Sequence, residues 1–273
     1  MPLIIISAED YKQGDDIGQK VAGVLGYRYL GRDLLHSVAA EHQVSEEELV
    51  QALDDPPGLL SRRSRRQRML SYIEAACLKL LLDDNVVCFG LAAHMYVRAV
   101  SHALKVRVIN EPEQRAQDLA KTEGLSLEKA RKQILRQTKD ERRWSEDAYN
   151  LDQTDASLYD LVISLGTLEL EKAVEIICDT VGYRKFQPMT YSRKLMQDKA
   201  LAADVRLELM ENFPDTRVEA NDGTVVVFIQ SLKKDQRKKQ EMVRQIAGGL
   251  PGVRHVEVHI IRDLVGQAAQ SSR

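Results

Sequence analysis

The sequence predicts an α/β fold, a parallel sheet flanked by helices and followed by a small C-terminal αββαβ domain. Three observations predict it. Short β-branched runs without polar alternation, LIIIS at 3–7 and NVVCFG at 85–90, have the composition of strands buried on both faces. Helical stretches separate these runs, which implies right-handed βαβ crossovers and helices on both faces of one sheet. Beyond residue 195 the rhythm changes, and Asn221-Asp222-Gly223 joins two strand-like runs as a hairpin.

In chain order, the strand at 3–7 is followed by a loop and by a helix from Ile17 to Leu25, stopped by Gly26. Tyr27 to Leu30 lead into a helix over 33–40. Ser45-Glu46-Glu47-Glu48 is a capping box that opens another, with Val44 and Leu49 placed as its hydrophobic staple. Asp54-Asp55-Pro56-Pro57-Gly58 breaks the chain before a long helix over 64–82. A strand at 85–90, a helix at 92–102 and a strand at 106–110 come next. Helices at 112–122 and 126–147, a strand at 159–164 and a helix at 169–181 complete the domain. The expected division is a first domain over 1–182, a linker over 183–195, a second domain over 196–263 and a flexible tail over 264–273. Within the second domain a helix (196–211), strands at 216–220 and 224–230, a charged helix (233–247) and a strand at 253–261 are expected.

Hydrophobic residues make up 44% and charged residues 29%, a balance that permits a real core in a globular protein. A formal net charge of −2 gives no overall field for nucleic acid or an anionic membrane, so any such attraction needs a local patch. Cys77, Cys88 and Cys178 lie in apolar stretches and read as small buried hydrophobes in a reducing compartment. Asp83, Asp84, His94 and Arg98 interrupt the apolar region around 78–100, so no membrane span is expected there. The cytoplasm is the expected location. No metal centre is expected either: His255 and His259 share a strand face but stand about 13 Å apart along it.

The order of segments carries a resemblance. A strand ending in Ser7 precedes Gly14-x-x-Ile17-Gly18, and Gly26-Tyr27-Arg28-Tyr29 leads into Arg32-Asp33-Leu34-Leu35. Gly90 follows one strand, Pro112-x-x-x-Arg115 another, and residues 123–130 (EGLSLEKA) open a pair of helices before Tyr159-Asp160-Leu161-Val162-Ile163. With these features residues 1–182 resemble the cytidylate-kinase-like family of P-loop nucleoside-monophosphate kinases. The resemblance implies ATP with Mg as donor and a CMP-like acceptor. Residues 196–263, with Asp222-Gly223-Thr224-Val225-Val226-Val227 and Pro251-Gly252-Val253-Arg254-His255-Val256, resemble a BON domain. That family is proposed to bind proteins, lipids or anionic polymers.

A P-loop works because glycines let backbone N–H groups surround phosphate at a helix N-terminus, while a basic side chain adds charge. The resembled family carries Gly-Ser-Gly-Gly and an arginine there. This chain aligns Tyr11, Lys12, Gln13, Gly14 and Asp15, a single glycine with a carboxylate at the basic position. A carboxylate about 4 Å from a phosphate charge is repelled by roughly 4 kcal/mol at a surface-like dielectric. Asp15 turned outward and Lys12 reaching in would ease that repulsion, and Asp15 with Asp16 also suits the positive end of a helix dipole. Gly31 and Leu91 stand where the family has an acid and an arginine.

Phosphate or nucleotide contacts, if retained, therefore fall on Ser7, Lys12, Gln13, Gly14, Asp15, Asp16 and Ile17. Arg62, Arg65 and Arg66 share a helix face and, with Arg32, form the candidate acceptor region. Arg136, Lys139, Arg142 and Arg143 match the family's lid in position; a solvated helix face is the plain alternative for both groups. Trp144 reads as a packing anchor. In the second domain Lys233, Lys234, Arg237, Lys238 and Lys239 make a basic helix, solvated or facing an anionic partner. The sequence favours a kinase-like protein with impaired catalysis, serving as sensor or scaffold. An active kinase with a rearranged loop and an interaction protein without nucleotide are the alternatives.

Overall fold

The computed structural model describes residues 2–55, 60–231 and 235–261, with side chains for all of these but 60–63. The chain divides into two compact units, Met1–Ser192 and Arg193–Arg273. The tail expected over 264–273, along with Arg62, Lys233 and Lys234, lies outside the described residues or side chains.

The first unit is a five-stranded sheet in the order β2-β3-β1-β4-β5, every neighbouring pair parallel. Its strands are β1 (Leu3–Ala8), β2 (Arg28–Leu30), β3 (Val86–Phe89), β4 (Ala103–Ile109) and β5 (Leu161–Ser164). β1 is central because Leu3 to Ile6 are apolar on both pleat faces and bury completely. On one face Ile4 and Ile6 pack with Ile17 and Val21 of α1 (Tyr11–Leu25) and with Ala173 and Ile177 of α8 (Leu170–Val181). On the other, Cys88 of β3 meets Cys77 of α4 (Leu60–Leu81), their sulfurs 3.9 Å apart. Both thiols are free and buried, which matches the reading as small hydrophobes.

Several elements depart from expectation. Residues 28–30 form a fifth strand, too short to show a period, which pairs with β3 at the sheet edge. The helix expected over 92–102 shrinks to α5 (Ala93–Tyr96), since Ala99 takes a left-handed backbone (φ 64°). β4 consequently begins at Ala103. α1 begins at Tyr11, six residues before the expected Ile17, which the next subsection takes up.

Four further helices frame the sheet's carboxyl end: α2 (Leu34–His42), α3 (Glu46–Asp54), α6 (Pro112–Glu123) and α7 (Leu127–Tyr149). The Ser45 half of the capping box forms, its Oγ accepting from the Glu48 amide at 3.2 Å, while the Glu48 carboxylate pairs with Arg65. Trp144 of α7 is buried and donates from Nε1 to the Ala52 carbonyl at 2.9 Å, tying α7 to α3.

In the second unit α9 (Thr190–Met210), β6 (Arg217–Asn221), β7 (Thr224–Gln230), α10 (Gln236–Gly248) and β8 (His255–Ile261) form an αββαβ unit. α9 takes in the last residues of the stretch expected as a linker. β6 pairs antiparallel and β8 parallel with β7. Asp222 (φ 50°) and Gly223 (φ 75°) both turn left-handed, the requirement of the tight hairpin turn. Val225, Val227 and Ile229 alternate inward against Val205, Leu209 and Val243.

Candidate functional site

In a doubly wound parallel sheet the ligand crevice opens at the carboxyl ends of the strands where the strand order reverses. Here that point lies between β1 and its neighbours β3 and β4. A cavity of about 240 Å³ opens there, lined by Ser7 of β1 and Arg107 of β4 and by Glu9 and Gly90 just past the ends of β1 and β3. Arg32, Asp54, Glu141 and Trp144 come from the helical side.

Its first wall is the β1–α1 connection, and it is not an open loop. Residues Tyr11, Lys12 and Gln13 are competent helix formers in place of glycines, so the helix runs back to the strand. Asp10 caps it: Oδ1 accepts the Gln13 amide at 2.8 Å, and the Asp10 carbonyl accepts the Gly14 amide at 3.0 Å. Glu9 closes the other side. One carboxylate oxygen, Oε2, accepts the Asn110 amide at 3.1 Å and lies 3.2 Å from the Arg115 guanidinium. Gln13 Oε1 accepts from Asn110 Nδ2 at 2.7 Å. Asp10 thus holds the Gln13 amide at the helix N-terminus, and Glu9 holds the Asn110 amide and the Arg115 guanidinium.

Tyr11 lies over Phe89, ring centroids 5.1 Å apart, and the Arg32 guanidinium stacks 4.4 Å above the Tyr11 ring. Gly90 sits beneath in a left-handed conformation (φ 75°). Gly14 serves packing: a Cβ there would come within 2.6 Å of Phe89 Cζ, so only glycine lets α1 close on the sheet.

Asp15 faces elsewhere. Tyr29 donates to its Oδ1 at 2.6 Å and Gln19 to its Oδ2 at 2.8 Å, on the flank of α1 over β2. Burial and the Asp15 carboxylate together push the Tyr29 hydroxyl well above its usual range. Asp16 pairs with Lys20 at 3.2 Å. Neither carboxylate is at the helix N-terminus, because the helix starts four residues before Asp15; Glu9 and Asp10 hold that place. Ile17 is core, and Lys12 is exposed and is not among the residues that line the cavity.

The second wall is charged and paired. Arg107, in the middle of apolar β4, is 4% exposed. It donates to Ser7 Oγ at 2.9 Å and to Glu141 Oε2 at 3.2 Å. Burial pushes the Glu141 carboxyl up, only partly offset by Arg107. His94 stacks on Tyr159 at 5.5 Å, and burial beside Arg107 pushes its pKa down to about 3, so the ring is neutral. Its Nε2 is buried without a hydrogen-bond partner. Arg32 makes a two-pronged pair with Asp54, one prong 2.7 Å long.

Of the acceptor residues whose side chains are described, Arg32 reaches the cavity and Arg65 and Arg66 do not. Arg65 pairs with Glu48, and Arg66 donates to the carbonyls of Asp55 at 2.7 Å and Ala52 at 3.3 Å. In the lid, Arg136 and Arg143 approach Asp140 at 3.6 and 4.0 Å, and Arg142 bonds Glu146 and Asp152 at 2.9 and 3.1 Å. Lys139 is exposed. None of the four lines the cavity; Glu141 and Trp144, on the other face of α7, do. Sequence reading gave no site role to Glu9, Asp10, Arg107, Glu141 or His94. One signal was present: an arginine between Val106 and Val108 in a buried strand requires an internal partner.

Among the described residues no His, Cys, Asp or Glu cluster is placed to hold a metal, and no helix is long and apolar enough to cross a membrane.

Residues 3–167 match the cytidylate kinase-like family. A cytidylate kinase of Archaeoglobus fulgidus is 27% identical over 172 residues, 63% of this chain and 89% of that protein. One from Methanopyrus kandleri is 30% identical over 155 residues, 56% of this chain and 78% of that protein. Among solved structures, shikimate kinase from Acinetobacter baumannii aligns with a TM-score of 0.40 at 12% identity, over 68% of this chain and 96% of its own.

Proposed function

This chain belongs to the cytidylate kinase-like family, and on that premise we propose that it binds a ligand of the nucleotide class without efficient phosphoryl transfer. The observation that carries this reading is the self-occupied β1–α1 connection. Asp10 takes the Gln13 amide at the helix start, and Glu9 takes the Asn110 amide and Arg115 beside it. Phosphoryl transfer depends on positioning and charge stabilisation of the transferred group. Two carboxylates at that place oppose both, and they do not fit the triphosphate of Mg-ATP. The crevice beyond them, with Ser7, Arg107 and Trp144, keeps the shape of a ligand site.

In this reading the protein is a sensor or scaffold, and the C-terminal αββαβ unit, BON-like in its order of elements, is the interaction module. Isothermal titration with Mg-ATP tests the first part. No binding is expected at micromolar ligand in the natural protein, and measurable binding is expected once Glu9→Gln and Asp10→Asn remove both charges. Micromolar binding to the natural protein contradicts the reading.

A further inference from the structure

We infer that the cavity above β1 takes an uncharged nucleoside in preference to its 5′-phosphate. This rests on the reading above, that the site binds without transferring phosphate, and it names the ligand.

Charge comes first. The lining holds two arginines, Arg32 and Arg107, against three carboxylates, Glu9, Asp54 and Glu141, and Arg115 pairs with Glu9 from outside the lining, so no positive charge is in excess. Each arginine already has a carboxylate partner. Arg32 is engaged in a two-pronged pair with Asp54, and Arg107 is divided between Ser7 and Glu141. A phosphate monoester recruits arginine through the same fork of N–H groups that these carboxylates already hold. To take Arg107 it would draw that guanidinium away from a partly buried Glu141, and both anions would then share one guanidinium. His94 adds no positive charge, since its pKa near 3 keeps it neutral.

The remaining surface suits a neutral ring carrying hydroxyls. Tyr11 and Phe89 present a packed aromatic pair, and Trp144 supplies a third ring on the helical side. Ser7 and Gln153 also line the space, and they bring hydrogen-bonding groups without charge. A volume near 240 Å³ lies below the roughly 300–1,000 Å³ of drug-sized pockets, which favours a small ligand.

The test is isothermal titration of the full chain, without ATP, against the four common ribonucleosides and their 5′-monophosphates. One nucleoside is expected to bind, with its monophosphate weaker by about tenfold or more. Glu141→Gln and Asp54→Asn free Arg107 and Arg32 in turn, and each is expected to raise monophosphate affinity relative to that of its nucleoside by roughly tenfold. Asp54 is 45% exposed, so its variant keeps the test valid if Glu141→Gln disturbs folding. A monophosphate that binds as tightly as its nucleoside overturns the inference, as does the absence of binding by all eight compounds. Failure of the underlying reading looks different: it is turnover of ATP with a monophosphate.

Discussion

Asp10 Oδ1 accepts the amide hydrogen of Gln13 at 2.8 Å, so the first helix of the sheet is capped by its own chain. A helix N-terminus offers unsatisfied N–H groups and partial positive charge, which is what a phosphate uses. Here a side chain three residues earlier takes that role. Replacing Asp10 by Ala is expected to lower stability by about 1 kcal/mol, and by Asn far less, since Asn caps nearly as well. Urea unfolding of both variants checks it; equal losses would show that the cap contributes nothing.

Gly14→Ala is expected to destabilise the first unit by about 1–3 kcal/mol, through overpacking of α1 on Phe89 and Ala8. The measurement is thermal unfolding. A neutral result would mean that the helix shifts without cost and that Gly14 has no packing role.

Arg107→Met leaves Glu141 without its guanidinium. The expected loss is about 3 kcal/mol, the low end for breaking a buried pair, because Glu141 keeps 28% exposure. Glu141→Gln should cost less, since burial already disfavours its charge. The raised carboxyl also sets a pH dependence. Between the ordinary value of 4.5 and its folded value the folded protein holds more protons than the unfolded chain, so this group's contribution falls as pH climbs through that window. Glu141→Gln should remove that slope from a stability-against-pH curve.

Asp160 behaves in the opposite sense. Burial raises its carboxyl, but hydrogen bonds from Lys105 Nζ at 2.6 Å, the Lys105 amide at 3.1 Å and Lys185 Nζ at 2.9 Å outweigh it and hold the carboxyl below its usual value. Its contribution is present above about pH 4 and lost as pH falls through the folded value. Asp160→Asn is expected to cost about 1–3 kcal/mol at pH 7 and progressively less toward pH 2, in urea titrations at each pH.

The parallel sheet was legible because its strands are short apolar runs set between helices, and the hairpin because Asn-Asp-Gly admits few backbone conformations. The capping box at Ser45 was equally local. β2 escaped because three residues carry no period, and its place is fixed by pairing with β3. At the site, sequence pointed to the right segment and to the wrong carboxylate. Alignment put Asp15 opposite phosphate, yet the extension of α1 to Tyr11 turns Asp15 toward Tyr29 and brings Glu9 and Asp10 to the helix start. Arg107 and Glu141 are 34 residues apart and meet only through the tertiary fold.

The central claim is that the chain's own carboxylates stand where a phosphate donor would bind. A phosphotransfer assay with Mg-ATP and CMP, run on the natural protein and on the Glu9→Gln, Asp10→Asn double variant, tests it most directly. The account predicts no steady formation of CDP by the natural protein. Sustained CDP production by the natural protein, abolished or unchanged in the double variant, would contradict it.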